Sequence, residues 1–360
     1  MKNNKVKLLA VAVAMGISAQ ASAAITLYDN AGTTFAADGH INVFYTQTDD
    51  EVTGLEQDRV RMGFLPNYIG FTTSKQVDGL TLGARSSFWV TINDGGSSAA
   101  TDTAIDVRQF YGTVDSDFGQ FLFGKDFGLF ARSNIFNDEL LLGTGLPKPQ
   151  GPTVTFGNIS TGYPYATPVA QLTYRTNDIN GFKLAVGIMD PESGEAAVGS
   201  DTNRSARFEA EATYNGAFDG GSFVLWLNGA SGESATAGVD ATGVGYGARV
   251  TVGGLQVTAS GFDSEGIGAL ADDTLVTEDD SDGYLLQASY SFGNSRIVLS
   301  TAETDTKVFG ASTETSNKLD AIAYFHKIND NLQVVAEYDT QETSTGADID
   351  QIAVGAVLSW

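Results

Sequence analysis

The chain has 360 residues, with 20 Lys+Arg against 44 Asp+Glu, a formal net charge of −24, 42 Gly, 7 Pro and no Cys. Such acidity excludes a nucleic-acid partner, which needs a basic footprint, and the lack of cysteine excludes a disulfide scaffold. No run of 18 or more apolar residues is present, so no transmembrane helix is available, while a mean hydropathy of −0.06 is also what alternating membrane strands give.

Residues 1–23 read as a secretory signal peptide. Lys2, Lys5 and Lys7 are its positive region, Leu8–Ser18 its apolar stretch, and Ala21-Ser22-Ala23 its cleavage site. No linker or shift of composition divides 24–360, which reads as one domain. Ile25–Asp29 is a short apolar piece before a turn signal, Asp29-Asn30-Ala31-Gly32, and is expected to pair with the C-terminal strand.

From Gly39 a two-residue period takes over. It predicts sixteen strands: 39–47, 68–75, 80–92, 106–115, 119–127, 169–176, 181–190, 204–216, 221–229, 243–252, 255–262, 283–292, 295–303, 318–328, 331–339 and 349–360. In 181–190, Phe182, Leu184, Val186 and Ile188 face away from Lys183, Ala185 and Gly187. In 204–216, Phe208, Ala210, Ala212 and Tyr214 oppose Arg207, Glu209 and Glu211. Such charges line water more readily than a dry core.

The connections alternate short and long. Seven short turns, rich in Gly, Asn and Asp, lie at one end; eight longer segments, rich in Asp, Ser, Thr and Gly, lie at the other. That is an up-and-down antiparallel barrel, all-β and transmembrane. Phe182, Tyr214, Phe218, Phe223, Tyr290, Phe292 and Trp360 fall beside short turns, as an interfacial girdle requires. The hairpin 106–127 feeds the longest connection, Gly128–Pro168, which suits a loop folded back into a lumen.

Several motifs carry no further chemistry. There is no H-E-x-x-H, G-x-S-x-G or P-loop. His40 and His326 both fall in predicted strands and read as polar lumen or interface residues. Gly243-Val244-Gly245-Tyr246-Gly247 has no helix after it and reads as a glycine-rich strand. The run 278–283 is similar to a calcium loop, but Ser289 stands where its bidentate Glu should be. Hence no enzyme, cofactor or metal site is expected. Asp272, Asp273, Glu278, Asp279, Asp280 and Asp282 read as a solvated acidic loop, or as a place where divalent cations bridge to anionic lipopolysaccharide.

Val107-Arg108-Gln109-Phe110-Tyr111-Gly112, Asp117-Phe118-Gly119 and Gly124-Lys125-Asp126-Phe127-Gly128 resemble the fourth and fifth strands of Gram-negative general porins. Leu172–Thr176 and Asn180-Gly181-Phe182 resemble the strand after that family's constriction loop. The resemblance runs in strand order over essentially all of 24–360. It implies a sixteen-stranded homotrimeric outer-membrane barrel, with loop 3 folded into the lumen, passing small hydrophilic solutes and ions by passive diffusion. It also implies carboxylates on loop 3 opposite basic side chains on the wall. Arg108 and Lys125 match basic positions of the motif. Arg85 joins them by alternation with Thr81, Gly83 and Ser87, and Arg132 lies in the loop itself. Asp138 and Glu139 are the matching acids. The family's P-E-F-G-G tip is replaced by residues 140–145 and Pro147-Lys148-Pro149.

Facing acids and bases would set up a transverse field favouring hydrated, dipolar solutes. The net charge argues for cation preference, though eyelet bases would oppose it. Two alternatives stand beside this reading. A substrate-specific channel, for sugars or anions, would show stacked aromatics or a dense cationic cluster along the lumen, and neither stands out in the sequence. A structural or adhesive barrel would bind a surface partner through its acidic loops.

Overall fold

Strands with one apolar and one polar face need lipid on one side and water on the other, and the chain satisfies both by closing on itself. The computed structural model describes residues 24–93, 105–147, 154–190, 206–233, 240–268, 279–344, 346 and 348–360. The signal-peptide stretch, and Asp272, Asp273, Glu278 and Lys148, lie outside the described residues.

The first strands are β1 (Ile25–Asn30), β2 (Thr33–Asp50), β3 (Leu55–Arg61), β4 (Asn67–Val77) and β5 (Leu80–Val90). The hairpin of β6 (Asp106–Ser116) and β7 (Gly119–Phe127) leads into loop 3, which holds α1 (Arg132–Phe136). Then come β8 (Pro168–Arg175), β9 (Phe182–Met189), β10 (Arg207–Phe218), β11 (Gly221–Glu233) and β12 (Asp240–Val252). The last six are β13 (Leu255–Glu265), β14 (Asp280–Phe292), β15 (Ser295–Lys307), β16 (Glu314–Lys327), β17 (Leu332–Thr343) and β18 (Asp348–Ser359).

Every neighbouring pair is antiparallel, and β18 returns to β2 in a register running from His40↔Ser359 to Asp50↔Ile349. The result is a closed barrel with 16 strand positions. One position is shared. β3 pairs with residues 44–50 of β2 and β4 with residues 33–40, so together they complete one wall strand. Between them, Met62–Pro66 leaves the ladder, and side-chain amides take over the lost bonds. Asn67 Oδ1 accepts from the Asn42 amide at 2.6 Å, and Asn93 Oδ1 from the Met62 amide at 2.7 Å.

Outward residues are apolar: Phe121, Leu172, Leu227 and Val354 are 57%, 64%, 55% and 53% exposed on the isolated barrel and face lipid. Inward residues such as Glu209, Asn228, Gln287 and Gln351 are buried. The rings beside the short turns meet in pairs, Tyr214 tilted against Phe223 at 5.7 Å and Tyr290 stacked on Phe292 at 6.3 Å, a girdle at the membrane interface.

Two features depart from the sequence reading. β1 does not pair with the C-terminal strand. It folds back on β2 through Ala31 and Gly32, both at positive φ (49° and 74°), in the tight hairpin that such angles allow. It continues the line of β18 along the same edge of β2. β3 was not among the predicted strands. Gln57, Arg59 and Arg61 take its inner face, with Arg61 buried, while Glu56 and Asp58 share the outer face with Val60, which stands 69% exposed.

Candidate functional site

Loop 3 is the only long connection whose path across the barrel interior is set by polar wall residues among those described. It leaves β7 at Gly128, where a Cβ would lie 2.9 Å from a Glu209 carboxylate oxygen. Glycine therefore lets the backbone close on the wall. Glu209 accepts the amides of Leu129 and Phe130, the latter at 2.9 Å, and Asn228 Oδ1 accepts that of Ala131 at 3.0 Å. Glu211 accepts both the amide and the hydroxyl of Ser133 at 3.1 and 2.7 Å. α1 then lays Asn134 against Trp226 and Asn228, each donating to its Oδ1 at 3.2 Å.

Further along, Gln287 Oε1 accepts the Glu139 amide at 2.8 Å. The segment crosses to β17, where Glu337 accepts the amides of Thr144, at 3.2 Å, and Gly145. Asp339 accepts the Thr144 hydroxyl at 3.1 Å. The Phe64 amide, in the break between β3 and β4, donates to Gly143 O at 2.9 Å. Leu140, Leu141 and Leu142 bury against inward apolar side chains, among them Phe44, Leu285 and Val298. The loop is thus seated by polar clamps on opposite walls and by an apolar face between them. Such burial adds roughly 1.5–3 kcal/mol per large side chain.

The predicted site residues divide into three groups. Arg85, Arg108 and Arg132 come together beside β4–β7. Arg85 pairs with Asp38 and lies 5.9 Å from the Tyr68 ring. Arg108 Nε donates to Asp106 at 2.7 Å, its Nη1 donates to the Tyr165 hydroxyl at 3.0 Å, and its guanidinium lies 5.2 Å from the Trp89 ring. Arg132 pairs with Asp126 at 3.4 Å and covers Phe136 at 5.1 Å.

Asp138 and Glu139 do not face those bases. Asp138 is buried beneath the loop, where it accepts from Gln287 Nε2 at 2.7 Å, Asn158 Nδ2 at 3.0 Å, the Leu140 amide at 2.9 Å and the Tyr163 hydroxyl. Burial, and then the Asp138 carboxylate, push the Tyr163 hydroxyl well above the ordinary tyrosine range. Glu139 pairs with Arg296 and, at 3.6 Å, with Arg249, and accepts from Gln256. These partners stand on β12–β15, across the barrel from Arg85 and Arg108. The loop acids therefore tie the loop to the far wall and leave the expected acid–base confrontation unformed.

Lys125 belongs to neither group. It continues the outward face of Phe121 and Phe123, opposite Phe110, whereas Leu122 and Asp126 point inward. The family motif selects Lys125, but the period-two alternation of its strand turns it away from the lumen.

Sequence reasoning also missed several residues. Asp126, buried between Arg132 and Arg175, accepts from Gln109 at 3.0 Å. Arg249 and Arg296 were within reach, since both oppose apolar neighbours on alternating strands. The aromatic rings were not. Tyr68 and Trp89 lie 4.5 Å apart, Trp89 and Phe127 6.3 Å, Phe127 and Phe136 5.5 Å, and Phe127 and Tyr165 6.2 Å. They come from three strands and two parts of loop 3, so no local pattern announces the cluster. A cavity of about 20 Å³, room for about one water molecule, lies among these rings beside Arg85 and Arg132.

A second, larger space lies on the other side of loop 3, at the long-loop ends of β13–β17. It measures about 430 Å³ and is bounded by residues 160–164 of the loop.

Comparison with known proteins agrees with this architecture. A family model described as Gram-negative porin matches residues 9–346. No curated protein matches the sequence significantly. Among solved structures, the outer membrane channel DcaP of Acinetobacter baumannii is similar over 93% of this chain and 100% of its own, with 16% identity and a TM-score of 0.67. OmpF of Salmonella typhi, solved in complex with daunomycin, is similar over 93% and 100%, with 16% identity and a TM-score of 0.66. OmpT of Vibrio cholerae, an outer membrane protein solved in a trimer form, is similar over 92% and 100%, with 15% identity and a TM-score of 0.61. At these identities the likeness is one of fold.

Proposed function

Since the chain belongs to the Gram-negative porin family and forms an outer-membrane channel barrel, we propose that it passes small hydrophilic solutes and ions passively, down their gradients and without catalysis. The observation that carries this reading is a polar wall inside an apolar shell, with one loop seated across the interior. No covalent step or energy coupling is required of any residue. The channel works by excluding large and apolar solutes. We place Arg85, Arg108 and Arg132 on the solute path, where guanidiniums over aromatic faces bias it towards anionic or hydrogen-bonding solutes. In this reading the barrel is a homotrimer, its outer rim in contact with lipid and lipopolysaccharide.

A second reading, a substrate-specific channel, gains support from the cluster of Tyr68, Trp89, Phe127, Phe136 and Tyr165. Stacked rings beside guanidiniums are the features such a channel needs, and the sequence alone did not bring them together.

Single-channel recording of the purified protein in a planar bilayer tests both. Ohmic steps grouped in threes support an open trimeric channel, and the reversal potential under a salt gradient gives its ion preference. A small conductance blocked by one class of solute supports the specific channel. Silence from correctly folded barrels refutes the proposal and favours a structural or adhesive role.

A further inference from the structure

The space of about 430 Å³ above loop 3 differs in chemistry from the rest of the interior. The clamps of loop 3 are carboxylates, and the narrow side is guanidinium and aromatic. Among the described residues no Lys or Arg contributes to the lining here, and Asp279 is the one carboxylate. The walls are hydroxyls and amides, among them Ser281, Thr304, Thr306, Asn317 and Gln341, around the ring of Phe262. The volume falls within the roughly 300–1,000 Å³ of small-molecule sites.

Several of these polar groups form a fixed network. Ser281 Oγ and Thr306 Oγ1 are 2.9 Å apart, Gln341 Nε2 donates to Asn317 Oδ1 at 2.8 Å, and Asn317 Nδ2 donates to Ser160 O of loop 3 at 2.9 Å. Thr304 is 8% exposed, and its hydroxyl has no hydrogen-bond partner. A buried hydroxyl without a partner costs about 1–3 kcal/mol, and a ligand hydroxyl would remove that cost. Each serine or threonine hydroxyl both donates and accepts. A lining that is mostly hydroxyl and amide, with a single carboxylate among the described residues, matches a solute that carries many hydroxyls.

We propose that this recess is a binding subsite for neutral polyhydroxylated solutes of mono- to disaccharide size, held by Ser281, Thr304 and Thr306 before they reach the narrow side. The subsite deepens the channel reading and rests on it, because a solute reaches the recess through the long-loop mouth.

Sucrose is the probe. Added at increasing concentration to either side of a bilayer holding the full-length channel, it should reduce the current along a saturating curve, more strongly from the long-loop side. The paired variant S281A/T304V, which keeps side-chain volume, should raise the half-blocking concentration about tenfold, as the loss of two hydrogen bonds implies. Its current without sugar should be unchanged. A decrease that only follows bath viscosity, or the same half-blocking concentration in the variant, overturns the subsite while leaving the channel intact. Should the barrel prove silent, the channel reading falls, and saturation-transfer NMR of sucrose with the detergent-purified barrel decides the subsite. Transfer that is lost in the variant supports it, and no transfer refutes it.

Discussion

Replacing Glu337 with Ala tests how loop 3 is held. Its carboxylate accepts the Thr144 amide at 3.2 Å and the Gly145 amide, and Gly143 has no side chain because a Cβ there would meet Glu337 Oε2 at 2.0 Å. In the variant two buried amides lose their acceptor. Each costs about 1–3 kcal/mol when left unmet, so seating of the loop tip weakens by about 2–6 kcal/mol, towards the lower figure if water enters the vacated space. The barrel ladder does not pass through these bonds, and β16–β18 keep their register. Hydrogen exchange separates the two effects. At about 1.4 kcal/mol per factor of ten, the amides of Thr144 and Gly145 should lose at least about thirtyfold of their protection. Strand amides of β17 and β18 should keep theirs. E337Q, which retains one acceptor oxygen, should fall between. Unchanged protection at 144 and 145, or equal loss across the strands, refutes the clamp.

K125A should leave conductance and reversal potential unchanged, because its side chain is on the outer face, whereas R108A should move the reversal potential towards cations; one salt-gradient recording compares them. At Gly39 a Cβ would lie 2.2 Å from the Trp360 indole, so G39V should lose the compact unheated form on a denaturing gel. Tyr163 is favoured in its neutral form, since its hydroxyl is raised above the ordinary value. Its contribution is therefore full below about pH 10, the unfolded tyrosine value, and is lost as pH rises further. Protection of the loop 3 amides should decline above that pH, and Y163F should remove the decline.

The barrel was legible because its signal is redundant. Alternation, Gly and Asn turns, and rings beside those turns each recur along the chain, so an error in one strand leaves the others standing. β3 escaped because charges fall on both of its faces, Glu56 and Asp58 outside and Arg59 and Arg61 inside, so residues 55–61 show no apolar alternation. The site was less legible because its geometry is non-local. Asp138 and Glu139 were placed in the eyelet by motif, but their partners Gln287, Gln256, Arg249 and Arg296 lie more than a hundred residues away. Lys125 shows two rules in conflict, a motif that marks a basic position and a pleat that points it outward, and the pleat prevailed. The ring cluster needed Trp89 and Tyr165 side by side, which no window of sequence displays.

The seam between β2 and β18 sets how such a wall can be assembled. It joins residues 40–50 to residues 349–359. Bringing those segments together closes nearly the whole chain into a ring, at an entropic cost of about 5 kcal/mol. Each facing pair of side chains on the seam contributes only about 0.2–1 kcal/mol. A seam zipped over two or three rungs therefore falls apart again, and even at the upper figure about five of the eleven rungs from His40↔Ser359 to Asp50↔Ile349 are needed to offset the cost of closure. Until those rungs form, the sheet has two raw edges. During that interval, pairing with another copy competes with pairing to itself. The length of this one register decides between a sealed cylinder and an aggregate.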